Sequence, residues 1–195
     1  MEDMEQPESK SRIIRAAVDL MSQSGLSGVA INQVVAASSA PKGSLYHFFP
    51  GGKFELATVA LEEAERLEGE WFRGIFEQRG SIARKVELLF TDAAKNFEAT
   101  GFAKGCPVAA VTLDIDRDSE RMRPICQKIF ITWQDIIAAG LHEVPEAERR
   151  ETAELILATL EGALILSRTE LTKDPLLRAG KNLGNVLARR FHAAS

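Results

Sequence analysis

The sequence is poor in the residue types from which most enzyme sites are built. It contains two cysteines and three histidines in 195 residues, and the histidines are scattered without the spacing of a metal site. Gly51 and Gly52 precede Lys53, but no further glycine and no strand complete a phosphate-binding loop. The sequence therefore predicts that the protein is not an enzyme and that it needs no cofactor and no metal.

Long apolar runs are also absent. No run approaches the roughly 20 residues that a membrane-spanning helix needs. The N-terminal stretch MEDMEQPESK is acidic and polar, unlike the basic and then apolar layout of a signal peptide. Two cysteines are too few for a disulfide scaffold. We therefore expect a cytoplasmic protein without membrane contact, whose residues 1–8 form a disordered arm.

Positive charge is scarce overall and unevenly placed. The net charge is −4, and the first eight residues hold four acids. Residues 9–53 hold five lysine and arginine residues against the single acid Asp19. Neutralisation of phosphate groups depends on this local excess and not on the total charge. Five cations in 45 residues also fit ordinary scatter, so the charge supports a nucleic-acid site only beside a structural motif.

No stretch alternates apolar and polar residues as a half-buried strand would, whereas apolar residues recur at helical spacing along most of the chain. The predicted helices are 9–24, a short one from residue 31, 41–48, 53 to about 78, 81–99, 108–113, 119–142, 146–171 and 175–193. The sequence thus predicts an all-α fold of about nine helices. We expect a three-helix domain at residues 9–56 and a helical bundle at residues 57–195.

Residues 30–56, AINQVVAASSAPKGSLYHFFPGGKFEL, predict two short helices joined by a tight turn. Ile31, Val34 and Val35 form one apolar stripe of the first helix. The small residues at 38–40 permit a sharp reversal of the chain. Pro41 suits the first turn of the second helix, because the N–H that proline lacks would be unpaired there. The pattern predicts a helix-turn-helix.

The second helix of this pair has an unusual outer face. Leu45, Phe48 and Phe49 give it an inward side, which leaves small, polar and basic residues outside. A short helix without bulk or acid on its outer face, flanked by basic residues, is suited to the major groove of DNA. The DNA-binding candidates are Arg12, Asn32, Gln33, Pro41, Lys42, Gly43, Ser44, Tyr46, His47 and Lys53.

The string APKGSLYHFFPGGKFELA, with Gly43, Tyr46, Phe49, Lys53 and Leu56, resembles the DNA-binding domain of TetR-type transcriptional repressors. The motif covers about residues 9–60, and the remainder is similar only in architecture. PGGK and the later GCPV resemble a branch of drug- and flavonoid-responsive repressors. The resemblance implies a ligand-responsive repressor that binds a palindromic operator as a homodimer and is released by a small effector.

The turn departs from the family pattern at one position. The family usually places glycine where this chain has Ser39. Serine in a left-handed conformation costs on the order of 1 kcal/mol relative to glycine. Either the turn accommodates this strain or its geometry differs slightly.

Each DNA candidate has a chemical role in this hypothesis. Lys42 can bind guanine O6 or N7, and Ser44 can bind a base or a phosphate. Gly43 lets the backbone approach the duplex. We assign phosphate contacts to the polar ends of Tyr46 and His47. A further set binds phosphates from outside the second helix: Lys53, at a helix N-terminus, and Asn32 and Gln33, with Arg12 behind them.

Residues 155–167, LILATLEGALILS, are apolar nearly all round, which indicates burial on several sides. An ordinary monomeric core would explain this segment alone. Because one helix-turn-helix contacts little of an operator, we instead expect the last two helices to pair with their copies in a homodimer. The predicted interface consists of Leu155, Ala158, Thr159, Gly162, Ala163, Leu166, Leu183, Val186 and Leu187.

The aromatic residues of the bundle are consistent with a cavity for a small hydrophobic, aromatic effector, although apolar residues at helical spacing need no explanation beyond plain core packing. The candidate lining residues are Trp71, Phe90, Phe97, Cys106, Phe130 and Trp133. Two alternatives remain open. In the first, Cys106, which precedes Pro107 at a helix start, forms a thiol-redox switch with Cys126. The plain explanation of the same two residues is a pair of inert buried thiols. In the second alternative, the chain is a helical interaction module that binds no DNA.

Overall fold

The computed structural model describes the backbone of residues 2–192 and the side chains of residues 8–191. The helices are α1 Glu2–Ser24, α2 Ile31–Ser38, α3 Lys42–Phe48, α4 Lys53–Phe76, α5 Ile82–Ala99, α6 Pro107–Leu113, α7 Arg123–Ala139, α8 Glu146–Glu170 and α9 Asp174–His192. Short 3-10 turns lie at Gly25–Gly28 and Glu120–Met122. Residues 2–192 thus contain nine α-helices and no strand, which confirms the predicted all-α fold.

Two helix boundaries differ from the prediction. Helix α1 begins at Glu2, so the backbone of residues 2–8 is helical where the sequence predicts a disordered arm; Met1 lies outside the described residues. Glutamate and glutamine have high helix propensity even without an apolar stripe. Helix α7 ends at Ala139, before residue 142. The next residue, Gly140, leaves no room for a side chain, because a Cβ there would lie 2.5 Å from the Cβ of Phe76.

The chain divides into two compact units, one of residues 1–66 and 106–129 and one of residues 67–105 and 130–195. The sequence places a single boundary at residue 56. The difference arises because α6 packs against α1, a contact between distant parts of the chain that no local pattern records. Among the described residues, no helix has the length and apolar content needed to cross a bilayer.

The first unit is built around α1. Its buried residues Ile13, Ala17 and Met21 have no exposed surface, and α1 packs against α2, α3 and α6. Gly25 has a φ of +60° and leaves no room for a side chain, because a Cβ there would lie 2.8 Å from the carbonyl oxygen of Ala110. The apolar face predicted for α1 therefore forms the base on which α2 and α3 rest.

The second unit is held by α5, which packs against α8 and α9. Phe90 is fully buried, and Gly180 of α9 lies over it so closely that a Cβ would be 2.4 Å from the Cβ of Phe90. Lys85 is also buried, and its ammonium group donates hydrogen bonds to the carbonyl oxygens of Phe76 and Gly140, at 2.8 and 2.9 Å. A cation that binds helix C-terminal carbonyls is stabilised by both helix dipoles.

Candidate DNA-binding surface

A turn of three residues joins α2 and α3. Ser38 is buried, and its hydroxyl donates to the carbonyl oxygen of Val35 at 3.4 Å and accepts a hydrogen bond from the N–H of Ala40 at 3.3 Å. Ser39 follows in the left-handed conformation, with φ 53° and ψ 23°. The turn therefore accommodates serine where the family usually has glycine, and the side chain of Ser38 fixes the backbone on both sides of the strained residue.

Helix α3 is anchored by its inward face. Leu45 and Phe49 are 0% and 1% exposed, as predicted, whereas Phe48 is only half-buried. The N–H of Phe49 donates to the carbonyl oxygen of Leu45 at 2.8 Å, which closes the last turn. Pro41 is the residue before the helix and not its first residue, since its ψ of 138° is extended. Its carbonyl oxygen accepts the N–H of Ser44.

The outer face of α3 is exposed over most of its length. Lys42, Gly43, Tyr46 and His47 are exposed, with Tyr46 at 49%, and Ser44 is half-buried. On α2, Asn32 and Gln33 are also exposed. The fold thus brings the predicted α2 and α3 candidates to the surface, and no acidic residue lies between positions 20 and 54 of the chain.

Gly43 has no internal packing role. A Cβ built on this residue meets no atom of the protein within 4 Å, and its backbone is an ordinary part of α3. Glycine inside a helix lowers stability by about 0.5–1 kcal/mol relative to alanine. Because nothing within the described chain accounts for this cost, the glycine fits a requirement outside the protein, namely close approach of the backbone to another molecule.

The PGGK segment sets the start of α4. Gly52 has a φ of +71°, which suits glycine, and its N–H donates to the carbonyl oxygen of Phe49 at 2.9 Å. The N–H of Gly51 donates to a carboxylate oxygen of Glu55 at 2.6 Å. These bonds place the half-buried Lys53 at the first position of α4, where the helix dipole adds to its positive charge.

An acidic loop lies beside Lys53, and local sequence patterns do not show this proximity. Asp114, Asp116 and Asp118 line a cavity of about 180 Å³ together with Lys53. Hydrogen bonds to Asp116 from the hydroxyl and the N–H of Ser119 hold the pKa of this carboxyl below its ordinary value, so it is charged at neutral pH. The loop therefore places negative charge next to a candidate phosphate ligand.

Two basic residues of α1, Arg12 and Lys10, have different surroundings. The guanidinium of Arg12 donates to the hydroxyl of Ser9 at 3.1 Å, and its buried Nε has no protein partner among the described residues. The ammonium group of Lys10 lies 6.0 Å from the ring centre of Phe49. The sequence identified Lys10 only as a positive charge, because its contact with Phe49 depends on how α1 packs.

The comparisons with known proteins agree with this geometry. The model of bacterial regulatory proteins of the TetR family matches residues 13–58, and the model of the C-terminal domain of LmrA/YxaF-like transcriptional regulators matches residues 83–182. The chain belongs to the TetR family. The uncharacterized HTH-type transcriptional regulator YxaF of Bacillus subtilis is 32% identical over 185 residues, which is 94% of this chain and 96% of YxaF.

Solved structures show the same fold at lower identity. The regulatory protein TetR from Rhodobacter sphaeroides has a TM-score of 0.80 and 22% identity, over 90% of this chain and 96% of that one. A cysteine mutant of the TetR-family regulator CifR, bound to a 26-base-pair operator duplex, has a TM-score of 0.78 and 18% identity, over 90% and 94% of the two chains. As a TetR-family member this chain is a DNA-binding transcriptional regulator and not an enzyme, as predicted.

Four aromatic residues form a connected cluster in the second unit of this TetR-family chain. The ring of Phe72 lies 5.1 Å from Trp71 and 5.8 Å from Trp133, and Trp133 lies 5.7 Å from Phe130. The indole N–H of Trp71 donates to Asp92 at 2.7 Å. Trp71, Phe130 and Trp133 are thus brought together as candidates. Sequence reasoning missed Phe72, which follows Trp71 in an apolar pair.

The other three effector candidates have different surroundings. Phe90 packs under Gly180, as described above, and Phe97 pairs edge to face with Phe102, with ring centres 5.5 Å apart. Cys106 belongs to the first compact unit and caps α6, where its sulfur accepts the N–H of Ala109. The sequence alone could not show whether these residues pack in the core, cap a helix or line a ligand site.

The candidate interface residues fall into two groups. Leu155, Ala158, Gly162, Leu166 and Val186 are exposed, and Thr159 is half-buried. Ala163, Leu183 and Leu187 are 4%, 9% and 1% exposed within the single chain. These three were predicted at the interface, but they pack inside the subunit. Ile165, which is not among the predicted interface residues, is 58% exposed on α8. An all-apolar helix does not reveal which face remains open.

Proposed function

We propose that this TetR-family regulator represses transcription by binding a palindromic operator as a homodimer, and that a small hydrophobic effector releases it. The observation that carries the proposal is the outer face of α3, which is exposed and basic while Leu45 and Phe49 fix its inner face. A helix presented in this way enters the major groove with its N-terminal residues nearest the base edges.

The residues of the surface divide into base and phosphate contacts. Lys42 stands at the N-terminal end of α3 and binds guanine O6 or N7. Ser44 binds a base or a phosphate, and Tyr46 and His47 bind phosphates. Lys53 binds a phosphate from the start of α4, and Asn32 and Gln33 do so from α2. Phosphate contacts position the protein, so sequence specificity depends mainly on Lys42 and the close approach at Gly43.

Homodimerisation is supported by the exposed stripe on α8. Leu155, Ala158, Gly162 and Leu166 recur at helical spacing, and Ile165 widens the stripe. A Cβ on Gly162 meets nothing within 4 Å, so a second helix can approach the backbone there. An apolar stripe of this kind on a helix is suited to pairing with its own copy about a two-fold axis.

The proposed effector is hydrophobic and aromatic, because Trp71, Phe72, Phe130 and Trp133 form one cluster of rings. Trp71 and Phe130 are half-buried members of this cluster. The PGGK and GCPV segments and the LmrA/YxaF-like match of the C-terminal domain support placing the chain in a drug- and flavonoid-responsive branch. We keep the cytoplasm, where operator DNA is accessible, as the proposed location.

The thiol-redox alternative has little support in the structure. Cys126 is 2% exposed, and burial raises the pKa of its thiol, which disfavours the reactive thiolate. The sulfur of Cys106 already caps α6. If both cysteines are changed to serine, we expect the response of DNA binding to oxidants to stay unchanged.

The test of the proposed function is fluorescence anisotropy with labelled duplexes from the DNA flanking the gene. The full-length protein should bind one palindromic fragment far more tightly than a scrambled duplex, and the affinity should fall steeply with salt. Hydrophobic aromatic compounds are then added to the complex. Equal binding to both duplexes contradicts operator recognition, and a complex that no compound dissociates contradicts release by a hydrophobic effector.

A further inference from the structure

The N-terminal end of α3 is the part of the helix-turn-helix that approaches the bases in the proposed function. Helix α3 has only seven residues, Lys42–Phe48, and a helix of this length is not stable by itself in water. Its direction therefore depends on what holds it. Leu45 and Phe49 anchor its inner face, whereas the end that carries Lys42 and Gly43 depends on the turn from α2.

The turn itself offers little to fix the start of α3. The residue before the helix is Pro41, which has no N–H to donate and no side-chain group that could cap the helix. Ser39 has a left-handed backbone, with φ 53° and ψ 23°, which is unfavourable for a residue with a Cβ. If Ser39 left this conformation, the start of α3 would move relative to α2.

Ser38 provides a hydrogen-bonded link across this turn. It is the last residue of α2 and is 5% exposed. Its hydroxyl donates to the carbonyl oxygen of Val35 at 3.4 Å and accepts a hydrogen bond from the N–H of Ala40 at 3.3 Å. The two bonds join the last turn of α2 to the residue that follows Ser39. Because both partners are backbone groups, the link fixes the course of the chain on each side of the left-handed residue.

Removal of the hydroxyl would leave the turn without this constraint. Ala40 is 4% exposed, and a buried N–H that loses its acceptor destabilises the conformation in which it is buried. Ser39 can respond by leaving the left-handed region, which also removes its own backbone strain. The start of α3 then moves, while Leu45 and Phe49 still hold the inner face of the helix.

We propose that Ser38 is a positioning residue for operator recognition, whose hydroxyl holds Ser39 in the left-handed conformation and so keeps Lys42 and Gly43 in register with the base edges. Ser38 is buried and makes no contact with DNA itself. The inference rests on the proposed function, since it requires α3 to contact the operator. A hydroxyl that only stabilised the fold would leave the sequence specificity of DNA binding unchanged.

The test is the ratio of operator affinity to scrambled-duplex affinity, measured by fluorescence anisotropy with the full-length protein. A variant that is partly unfolded loses both affinities in proportion, so a purely structural role does not change the ratio. Ser38→Ala should lower the ratio at least about tenfold, because displaced base contacts weaken operator binding while phosphate contacts to either duplex persist.

Ser22→Ala is the matched control. Ser22 is also 5% exposed and lies in the same compact unit, and its hydroxyl donates to the carbonyl oxygen of Asp19 in α1. The substitution therefore removes a buried hydroxyl of the same kind but leaves the turn before α3 intact. We expect it to keep the wild-type ratio.

A substitution of Ser39 provides a rescue. Glycine adopts the left-handed conformation without steric cost, so it does not need the Ser38 hydroxyl to hold it there. Ser39→Gly alone should keep the wild-type ratio, and the double variant Ser38→Ala, Ser39→Gly should recover it to within about threefold. If Ser38→Ala alone does not fold, the comparison of the double variant with Ser39→Gly carries the test.

Four results contradict the proposal. The first is an unchanged ratio in folded Ser38→Ala, and the second is an equal loss in Ser22→Ala. The third is a double variant that is unfolded, or whose ratio stays well below that of Ser39→Gly. The fourth is a loss in Ser39→Gly alone, which would show that the side chain of Ser39 contacts the duplex.

The wild-type protein separates this inference from the proposed function. Equal affinity of the wild type for the two duplexes contradicts the proposed function, and the role of Ser38 fails with it. A wild type that prefers the operator, together with an unchanged ratio in Ser38→Ala, leaves operator recognition standing and shows that the Ser38 hydroxyl serves only the stability of the fold.

Discussion

Ser27 and Asp114 are 87 positions apart, yet two hydrogen bonds join them. The backbone N–H and the hydroxyl of Ser27 both donate to one carboxylate oxygen of Asp114, at 2.7 and 2.8 Å. Ser27 lies in the turn before α2, and Asp114 follows the last residue of α6. The end of α6 is therefore attached to the segment that leads into the helix-turn-helix.

This attachment predicts a measurable loss of stability in Asp114→Ala. The variant removes both hydrogen bonds, and because the pair is exposed we expect the free energy of unfolding to fall by only about 1 kcal/mol. Urea unfolding followed by circular dichroism measures it. Asp118→Ala, an exposed acid of the same loop, is the control and should have no effect. An unchanged midpoint for Asp114→Ala would show that the two hydrogen bonds contribute nothing.

The acidic loop beside Lys53 predicts a gain in DNA affinity. Asp116 and Asp118 place negative charge around the cavity that Lys53 lines, and this charge opposes the approach of a phosphate. The double variant Asp116→Asn, Asp118→Asn should bind operator DNA several-fold more tightly at low salt, with a smaller gain at high salt because screening removes the effect. Anisotropy titrations at two salt concentrations check it. Weaker binding, or a gain that salt does not reduce, is the contrary result.

Glu68 predicts a pH-dependent gain in stability on neutralisation. Burial raises its pKa to about 6 in the folded protein from an ordinary value of 4.5, so the charged form destabilises the fold above pH 6 and the penalty disappears as the pH falls towards 4.5. Glu68→Gln should therefore raise the free energy of unfolding by about 2 kcal/mol at pH 7.5 and by less than about 1 kcal/mol at pH 5. Urea unfolding at both pH values measures the difference. An equal gain in the free energy of unfolding at the two pH values would show that the gain comes from the glutamine amide and not from removal of the charge.

The exposed stripe on α8 predicts a dimer that one charge disrupts. Leu166 is 56% exposed in the single chain. A glutamate at this position would lose its hydration in the dimer interface, where it would face the same residue of the second subunit. Leu166→Glu should raise the dimer dissociation constant at least about a hundredfold, as measured by sedimentation velocity. Leu113→Glu is the matched control, because Leu113 is 78% exposed but lies on α6. A wild-type protein that sediments as a monomer would exclude the dimer outright.

Local patterns predicted the helices well and the packing poorly. The spacing of Leu45 and Phe49 identified the inner face of α3, because a short helix with two large apolar residues has one side to bury. Leu183 and Leu187 show the limit: their spacing predicted an apolar face but not whether that face meets another helix of the same chain or a second subunit. The sequence also did not identify Glu68. A single acid in the apolar stripe of α4 looks ordinary until the structure shows that it has no partner among the described residues.

The most direct test of the central claim, that the outer face of α3 contacts operator DNA, is the affinity of Gly43→Ala for the operator and for a scrambled duplex. A Cβ at Gly43 meets nothing in the protein, so this variant should be folded and more stable by about 0.5–1 kcal/mol. We expect operator affinity to fall at least about tenfold, with little change for the scrambled duplex, because the added methyl group prevents close approach to the bases. Unchanged operator affinity in a folded Gly43→Ala protein would contradict the account.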